Sequence, residues 1–478
     1  MPKLGNLTPS DVFKYFEDIC SVPHGSGNVS ALAEYCVNFA KTHSLKCVRD
    51  DDDNVIIYKE GTSDSGEPLI LQGHLDMVCQ KTEESSVNFE KDGLEIYVDG
   101  DMITANGTTL GADNGIAVAM ILSILASNDL KHPPIEAVLT SDEEIGMVGA
   151  GELDVSLLRS KRMINLDSES DDVVTVSCAG GSDFAVTLPF TRVSKRGFLV
   201  KIELKGLKGG HSGVKIGEGR VNASILLGRM LNAISEITDI DLVSVFGGDK
   251  ANAITNHVQA NIVVYDVDEF LSEFAEITSE IKREISAREP DFSVMLTCGD
   301  EPADIEVISD ECLLDLIYIL GTAPNGVMEM SAEIEGLVET SLNLGILNTL
   351  PNEIYLHFSL RSNKLSALKA LEDKLLLFFS KIKCSIETSG YYPSWEYNAD
   401  SPLRDTYVSV FTEMMGKEPN IEAIHAGLEC GVFASQIADF DCIAIGPTMY
   451  DVHTADERLS ISSTEKIYNV LIKTLEKL

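Results

Sequence analysis

Behind Pro9-Ser10-Asp11, apolar residues recur at Val12, Tyr15, Phe16 and Ile19, the spacing of a helix that buries one face. A second helical pattern covers about residues 30–42. Asn54-Val55-Ile56-Ile57-Tyr58 and Pro68-Leu69-Ile70-Leu71 read as strands, and residues 135–139 and 163–166 are short, continuously apolar runs of the kind buried on both faces of a sheet. Leu94, Ile96 and Val98 alternate before Asp99-Gly100 turns the chain back into Met102-Ile103-Thr104, a hairpin signal. Residues 115–126 are almost wholly apolar, too few to span a bilayer, and read as a buried helix. Helices alternating with buried strands predict an α/β layer with a mostly parallel sheet.

After Gly180-Gly181 the pattern changes to amphipathic strands at residues 184–188 and 198–204, a helix at about 221–234, strands near 242–246 and 253–265, a polar helix at about 268–287 and a strand at 292–297. A similar order recurs, with helices at 311–320 and 365–379 and strands at 338–344, 353–360 and 383–388. This predicts an inserted α+β domain of two successive β-α sandwich layers, residues 183–392, that acts as a lid. It interrupts a catalytic domain formed by residues 1–182 and 393–478, where helices near 403–415, 429–436 and 463–475 alternate with strands at 421–424 and 442–445.

The chain has 478 residues, 44% hydrophobic, enough for more than one large core. Its formal charge of -39, from 76 acidic and 37 basic residues, argues against nucleic-acid and anionic-membrane partners. Met1-Pro2-Lys3-Leu4-Gly5-Asn6 lacks the apolar run of a secretory signal, and the ten cysteines form no C-x-x-C pair. The expectation is a cytoplasmic protein with reduced cysteines, buried at Cys36, Cys178, Cys298 and Cys442.

Chemistry-bearing residues gather just past predicted strand ends, where open α/β sheets place their sites. His74 and Asp76 follow the strand at 69–71. Asp113 lies before the buried helix, Asp142-Glu143-Glu144 follow the strand at 135–139, Asp167 follows 163–166, and His453 follows the strand at 442–445 after a short loop. Each fragment alone is more often a turn, a cap or a solvated face. Together they offer imidazole and carboxylate to one sheet edge, a set suited to zinc, cobalt or manganese, with Asp113 as the natural shared ligand of two ions.

His74-Leu75-Asp76, Gly111-Ala112-Asp113-Asn114-Gly115, Asp142-Glu143-Glu144-Ile145-Gly146, Asn165-Leu166-Asp167-Ser168-Glu169 and His453 together resemble the di-zinc exopeptidases that include peptidase T, peptidase V and glutamate carboxypeptidase. Lys208-Gly209-Gly210-His211-Ser212-Gly213, Val338-Glu339-Thr340-Ser341-Leu342-Asn343-Leu344-Gly345 and His425-Ala426-Gly427-Leu428-Glu429-Cys430-Gly431 are similar to the aminoacyl-histidine (Xaa-His) dipeptidase group within them. The resemblance implies His74, Asp113 and Asp167 on one metal and Asp113, Glu144 and His453 on the other. It implies Glu143 as general base toward a metal-activated water and Asp76 as the partner that orients a ligand imidazole. It implies His211 at the tetrahedral oxyanion (supplied by the partner subunit in dimeric relatives), Arg361 and Asn252 at the substrate carboxylate, and Gly427 at the substrate amine. A cis Asp113-Asn114 peptide and a homodimer formed through the inserted domain also follow from it. The function so implied is hydrolysis of small peptides, Xaa-His dipeptides foremost. The alternatives are an N-acyl amino acid deacylase, a broader di- or tripeptidase on the same site, and an inactive metal-binding scaffold.

Overall fold

The computed structural model describes residues 4–62 and 66–478. The chain divides into two compact units: Met1–Cys178 with Tyr397–Ala423 and Leu428–Leu478, and Ala179–Glu396 with Ile424–Gly427.

Among the described residues, the first unit holds an eight-stranded sheet in the order Lys46–Arg49, Val55–Lys59, Ile135–Thr140, Leu69–His74, Arg162–Asn165, Asp441–Ala444, Val173–Cys178 and Asn420–Ile424. The four strands from Ile135–Thr140 to Asp441–Ala444 run parallel, while Val55–Lys59 and Lys46–Arg49 on one side and Val173–Cys178 on the other join antiparallel. Every residue of Leu69–His74 and Ile135–Thr140 is buried, as expected for strands covered on both faces. The helix Ala112–Ala126 is buried nearly all round and lies against the strand Leu69–His74 and the helix Ser10–Cys20. Gly73 permits this closeness: a Cβ there would stand 2.5 Å from Asn114 Oδ1 and 2.9 Å from Ala117 Cβ. The hairpin expected near residues 94–104 forms as Ile96–Asp99 and Met102–Ala105, with Gly100 at φ 62° in the turn. It extends into a small sheet with Arg458–Ser460 and Met449–Tyr450.

The second unit is an antiparallel sheet carrying the helices Ala223–Ser235, Val267–Ile285, Asp310–Thr322 and Leu365–Phe379. The two helix-and-strand successions share one sheet, joined where Phe246 and Gly247 of the strand Ile240–Gly247 pair with Asn348 and Leu347 of Val338–Thr349. A continuous core that includes Phe184, Leu227, Phe270, Leu316, Phe358 and Leu375 fills the space between sheet and helices.

None of the ten cysteines, all among the described residues, forms a disulfide. Cys36, Cys178 and Cys442 are buried as expected, whereas Cys298, last in the strand Ser293–Cys298, is only half-buried. Among the described residues no helix is long and apolar enough to cross a membrane.

Candidate metal centre and substrate residues

In the first unit, His74 ends one parallel strand, Glu143 and Glu144 follow Ile135–Thr140, and Asp167 stands two residues beyond Arg162–Asn165. Asp113 opens the buried helix through a cis Asp113-Asn114 peptide, and His453, at φ 63°, comes from the loop before Arg458–Ser460. Ligand atoms of His74, Asp113 and Asp167 lie within 4.8 Å of one another, as do those of Asp113, Glu144 and His453, and those of His74, Glu143 and Glu144. Asp113 joins the first two groups: Oδ1 is 3.1 Å from His74 Nε2 and Oδ2 is 3.1 Å from His453 Nε2. His24, His43, His132, His257 and His357 enter no such group among the described residues.

The donors fit divalent cations. His74 Nδ1 is 3.0 Å from the Asp76 carbonyl oxygen and 3.3 Å from Asp76 Oδ1, which places the proton of a neutral ring on Nδ1. Nε2 then turns a lone pair toward Asp113 Oδ1 at 3.1 Å and Asp167 Oδ1 at 3.6 Å. His453 Nε2 faces Asp113 Oδ2 at 3.1 Å and Glu144 Oε1 at 3.0 Å, yet that buried glutamate oxygen has no hydrogen-bond partner. Lone pairs and carboxylates converging between the buried His74, the half-buried Asp113, Asp167 and Glu144 and the exposed His453 favour positive charge among them.

In the metal-free protein, protons answer that requirement. Burial pushes His74 down, but hydrogen bonds to Asp113, Asp167 and Asp76 outweigh it and hold the ring well above the usual imidazole range. The hydrogen bond to Asp113 and the Glu144 carboxylate close by raise His453 to about 11. Burial alone would raise Asp113, yet bonds from the two imidazoles bring it below the usual carboxylate range. Burial lifts Glu144 and Asp167. Glu143 stands well above the ordinary range, through burial and the charges of Asp167, Glu429 and Glu144, against the opposing pull of His74. Metal binding to such a site releases protons.

Two neighbours fix this geometry. Asp76 Oδ1 accepts the Glu143 N–H at 2.9 Å, and Oδ2 accepts the Glu144 N–H at 3.2 Å and the Ser26 hydroxyl at 2.8 Å. Asn114 accepts the His74 N–H at 3.1 Å and donates to the Leu166 carbonyl and to Asp167 Oδ1, each at 3.0 Å. One amide, donor and acceptor at once, thus joins three ligand-bearing segments.

Two further carboxylates had no role in the sequence reading. Glu429 is fully buried; Oε2 accepts from Thr140 Oγ1 at 2.8 Å and from the Gln72 amide, while Oε1 has no hydrogen-bond partner. Burial first, then the charges of Asp167 and Asp76, lifts it to about 7. Glu169 is lifted to about 7 by burial and by Asp113 and Asp167.

The other predicted residues lie together in the second unit. His211 pairs with Ala253 in a two-stranded ladder, and the Asn252 carbonyl accepts the Ser212 N–H at 2.8 Å. His211 Nδ1 accepts the N–H groups of Gly213 and Val214, both at 3.2 Å, leaving Nε2–H as its outward donor. Burial, helped by Arg361, keeps this ring neutral by lowering it. Arg361 is 7% exposed; Nη1 donates to the Tyr392 hydroxyl at 2.8 Å and Nε has no partner. Ser341, paired with Arg361 across the sheet, lies 2.7 Å from His425 Nε2, whose Nδ1 is 3.2 Å from Asn363 Oδ1. His425, two residues before Gly427, is held neutral by burial and by Arg361, at about 3. A Cβ on Gly213 would come within 2.3 Å of the His425 carbonyl oxygen, so the His211 loop and the Gly427 segment are in close approach.

Residues 70–477 match the profile of peptidase family M20/M25/M40. Over its whole length the chain is 37% identical to the cytosol non-specific dipeptidase of Escherichia coli (strain K12), covering 99% of that protein. The crystal structure of aminoacylhistidine dipeptidase from Vibrio alginolyticus superposes with a TM-score of 0.91 at 37% identity, covering 99% of this chain and 98% of that one. The aminopeptidase PepT of Bacillus cereus shares the fold at a TM-score of 0.57 and 14% identity, covering 98% and 99%. The chain belongs to peptidase family M20/M25/M40.

Proposed function

We propose that this protein is a metal-dependent dipeptidase that prefers Xaa-His dipeptides. His74, Asp113 and Asp167 would hold one divalent cation and Asp113, Glu144 and His453 a second, zinc before cobalt or manganese. The observation that carries the reading is the single Asp113 carboxylate set between His74 and His453. When bound, such cations lower the pKa of water and polarise a peptide carbonyl.

Glu143, beside Glu144 and grouped with His74, takes a proton from the attacking water and hands it to the leaving amine. Asp76 holds the His74 ring and the backbone of Glu143 and Glu144 while this happens. The His211 Nε2–H is a neutral donor suited to an oxygen on which charge develops. Arg361, buried with Nε unpaired, fits a substrate carboxylate, with Asn252 beside it, and Gly427 offers backbone to the amine end. The inserted domain serves as lid and as the surface through which two copies pair in the cytoplasm.

The E. coli relative is named non-specific and the Vibrio protein aminoacylhistidine-directed, both at 37% identity, so breadth is the second reading. A panel of Xaa-His dipeptides, other dipeptides, tripeptides and N-acetyl amino acids tests it, with kcat/KM expected highest for Xaa-His. Equal rates across dipeptides would support the broader enzyme. Fastest cleavage of N-acetyl amino acids would overturn the dipeptidase reading.

A further inference from the structure

We infer that Glu457 is a positioning residue that sets the Asp113 carboxylate and ties it to the His453 loop. Its side chain lies 2% exposed beneath the first turn of the helix Ala112–Ala126. Oε2 accepts the N–H groups of Leu110 at 2.7 Å and Gly111 at 3.1 Å, and Oε1 accepts those of Ala112 at 2.9 Å and Asp113 at 3.3 Å. A helix start leaves such donors without intrahelical partners, and a serine, threonine or aspartate at the preceding position usually takes them. Here the backbone leaves the helical region at Asp113 (φ -83°, ψ 101°) and Asn114 (φ -119°, ψ 26°), so the four N–H groups stand ahead of the regular turns, and at Gly111, at φ 65°, a Cβ would stand 2.7 Å from Met77 Sδ. No local side chain caps the helix, and the acceptor comes from more than three hundred residues later.

Glu457 is itself fixed: its N–H donates to the Thr454 carbonyl at 3.2 Å and its carbonyl accepts the Thr104 hydroxyl at 2.8 Å. It lies four residues after His453. Asp113 is therefore held twice by one short loop, through its carboxylate by His453 and through its backbone by Glu457. A shift of that grip moves the carboxylate that both metal groups share. Supporting groups of this kind change metal affinity by about 10–100-fold when altered. The inference rests on the two-metal reading of the site.

Glu457→Gln keeps the shape but turns an amide NH2 toward two backbone donors. The control is Lys59→Met. The Lys59 ammonium donates to the carbonyls of Ile124 at 2.9 Å, Leu125 at 3.0 Å and Ser127 at the far end of the same helix, with no tie to Asp113. Chelator-treated wild type, Glu457→Gln and Lys59→Met are titrated with cobalt(II), following bound-metal stoichiometry and the visible absorption of the bound ion. Wild type should take up two equivalents. Glu457→Gln should bind at least one of them about 10–100-fold more weakly, with an altered cobalt spectrum, while Lys59→Met titrates as wild type. A wild-type titration for Glu457→Gln overturns the inference, as does an equal loss in Lys59→Met, which would make Glu457 a helix stabiliser only. Should Glu457→Gln fail to fold, Glu457→Asp, charged but one methylene shorter, should show the same weakening, and a wild-type titration for it would overturn the inference. Wild type that takes up no cobalt overturns the two-metal reading itself.

Discussion

Asp76→Asn keeps the side chain's shape while removing its charge and one of its acceptors. The two carboxylate oxygens divide the work: Oδ1 accepts the Glu143 N–H, and Oδ2 accepts the Glu144 N–H and the Ser26 hydroxyl. Whichever position the amide nitrogen takes, one of these two backbone N–H groups then faces another donor. A buried donor left without a partner costs about 1–3 kcal/mol. The change also removes a negative charge 3.3 Å from His74 Nδ1, and with it the anion that orients the imidazole. Loss of such a partner lowers metal affinity or activity by about 10–100-fold, roughly 1.4–2.7 kcal/mol. The assay is kcat/KM on an Xaa-His dipeptide as a function of added zinc, with thermal melts of the metal-free protein alongside. The metal concentration at half-activation should rise at least about tenfold and the metal-free melting temperature should fall. A variant with an unchanged half-activation point and wild-type kcat/KM would refute the role given to Asp76.

Glu143→Gln should lower kcat by about 10²–10⁴-fold while two metal equivalents still bind, and near-normal turnover would remove Glu143 from the proton shuttle. Arg361→Met should raise KM for dipeptides with a free terminal carboxylate by roughly 10–150-fold, the value of a charged hydrogen bond, and leave C-terminal amides little changed. An equal effect on both substrate types would contradict the carboxylate contact. Glu429, raised by burial from 4.5 to about 7, binds its proton more tightly folded than unfolded. Its contribution to stability is therefore full below about pH 4 and lost as pH rises through about 7. Melts of the metal-free wild type should lose up to about 3 kcal/mol across that window relative to Glu429→Gln, and parallel pH profiles would show that Glu429 is ionised throughout.

Part of the metal-capable set could be read from the sequence because His74, Glu143-Glu144 and Asp167 sit at or just past the ends of buried parallel strands, which continuous apolar runs mark without help from distant residues. Asp113, at a helix start, and His453, in a loop, follow no such run and were legible only through their motifs. What stayed hidden depends on contacts across the chain. Glu429 and Glu457 look like ordinary glutamates until folding buries one beside Thr140 and Gln72 and the other beneath Gly111. In the second unit the main helices have clear apolar faces. The strands Ala303–Ile308 and Gly326–Met330 are largely exposed or half-buried, so their composition gave no alternation to detect. The joining of the two halves into one sheet rests on the pairing of Phe246 and Gly247 with Asn348 and Leu347, a register that no local pattern encodes. The grouping of Ile424–Gly427 with the second unit likewise depends on contacts such as that of Ser341 with His425.

The central claim is that one carboxylate, Asp113, bridges two cations. Anomalous diffraction from crystals grown with zinc tests it directly. Two peaks about 3.5–4 Å apart are expected, one bounded by His74, Asp113 and Asp167 and the other by Asp113, Glu144 and His453. A single peak, or two peaks that do not share Asp113, would contradict it.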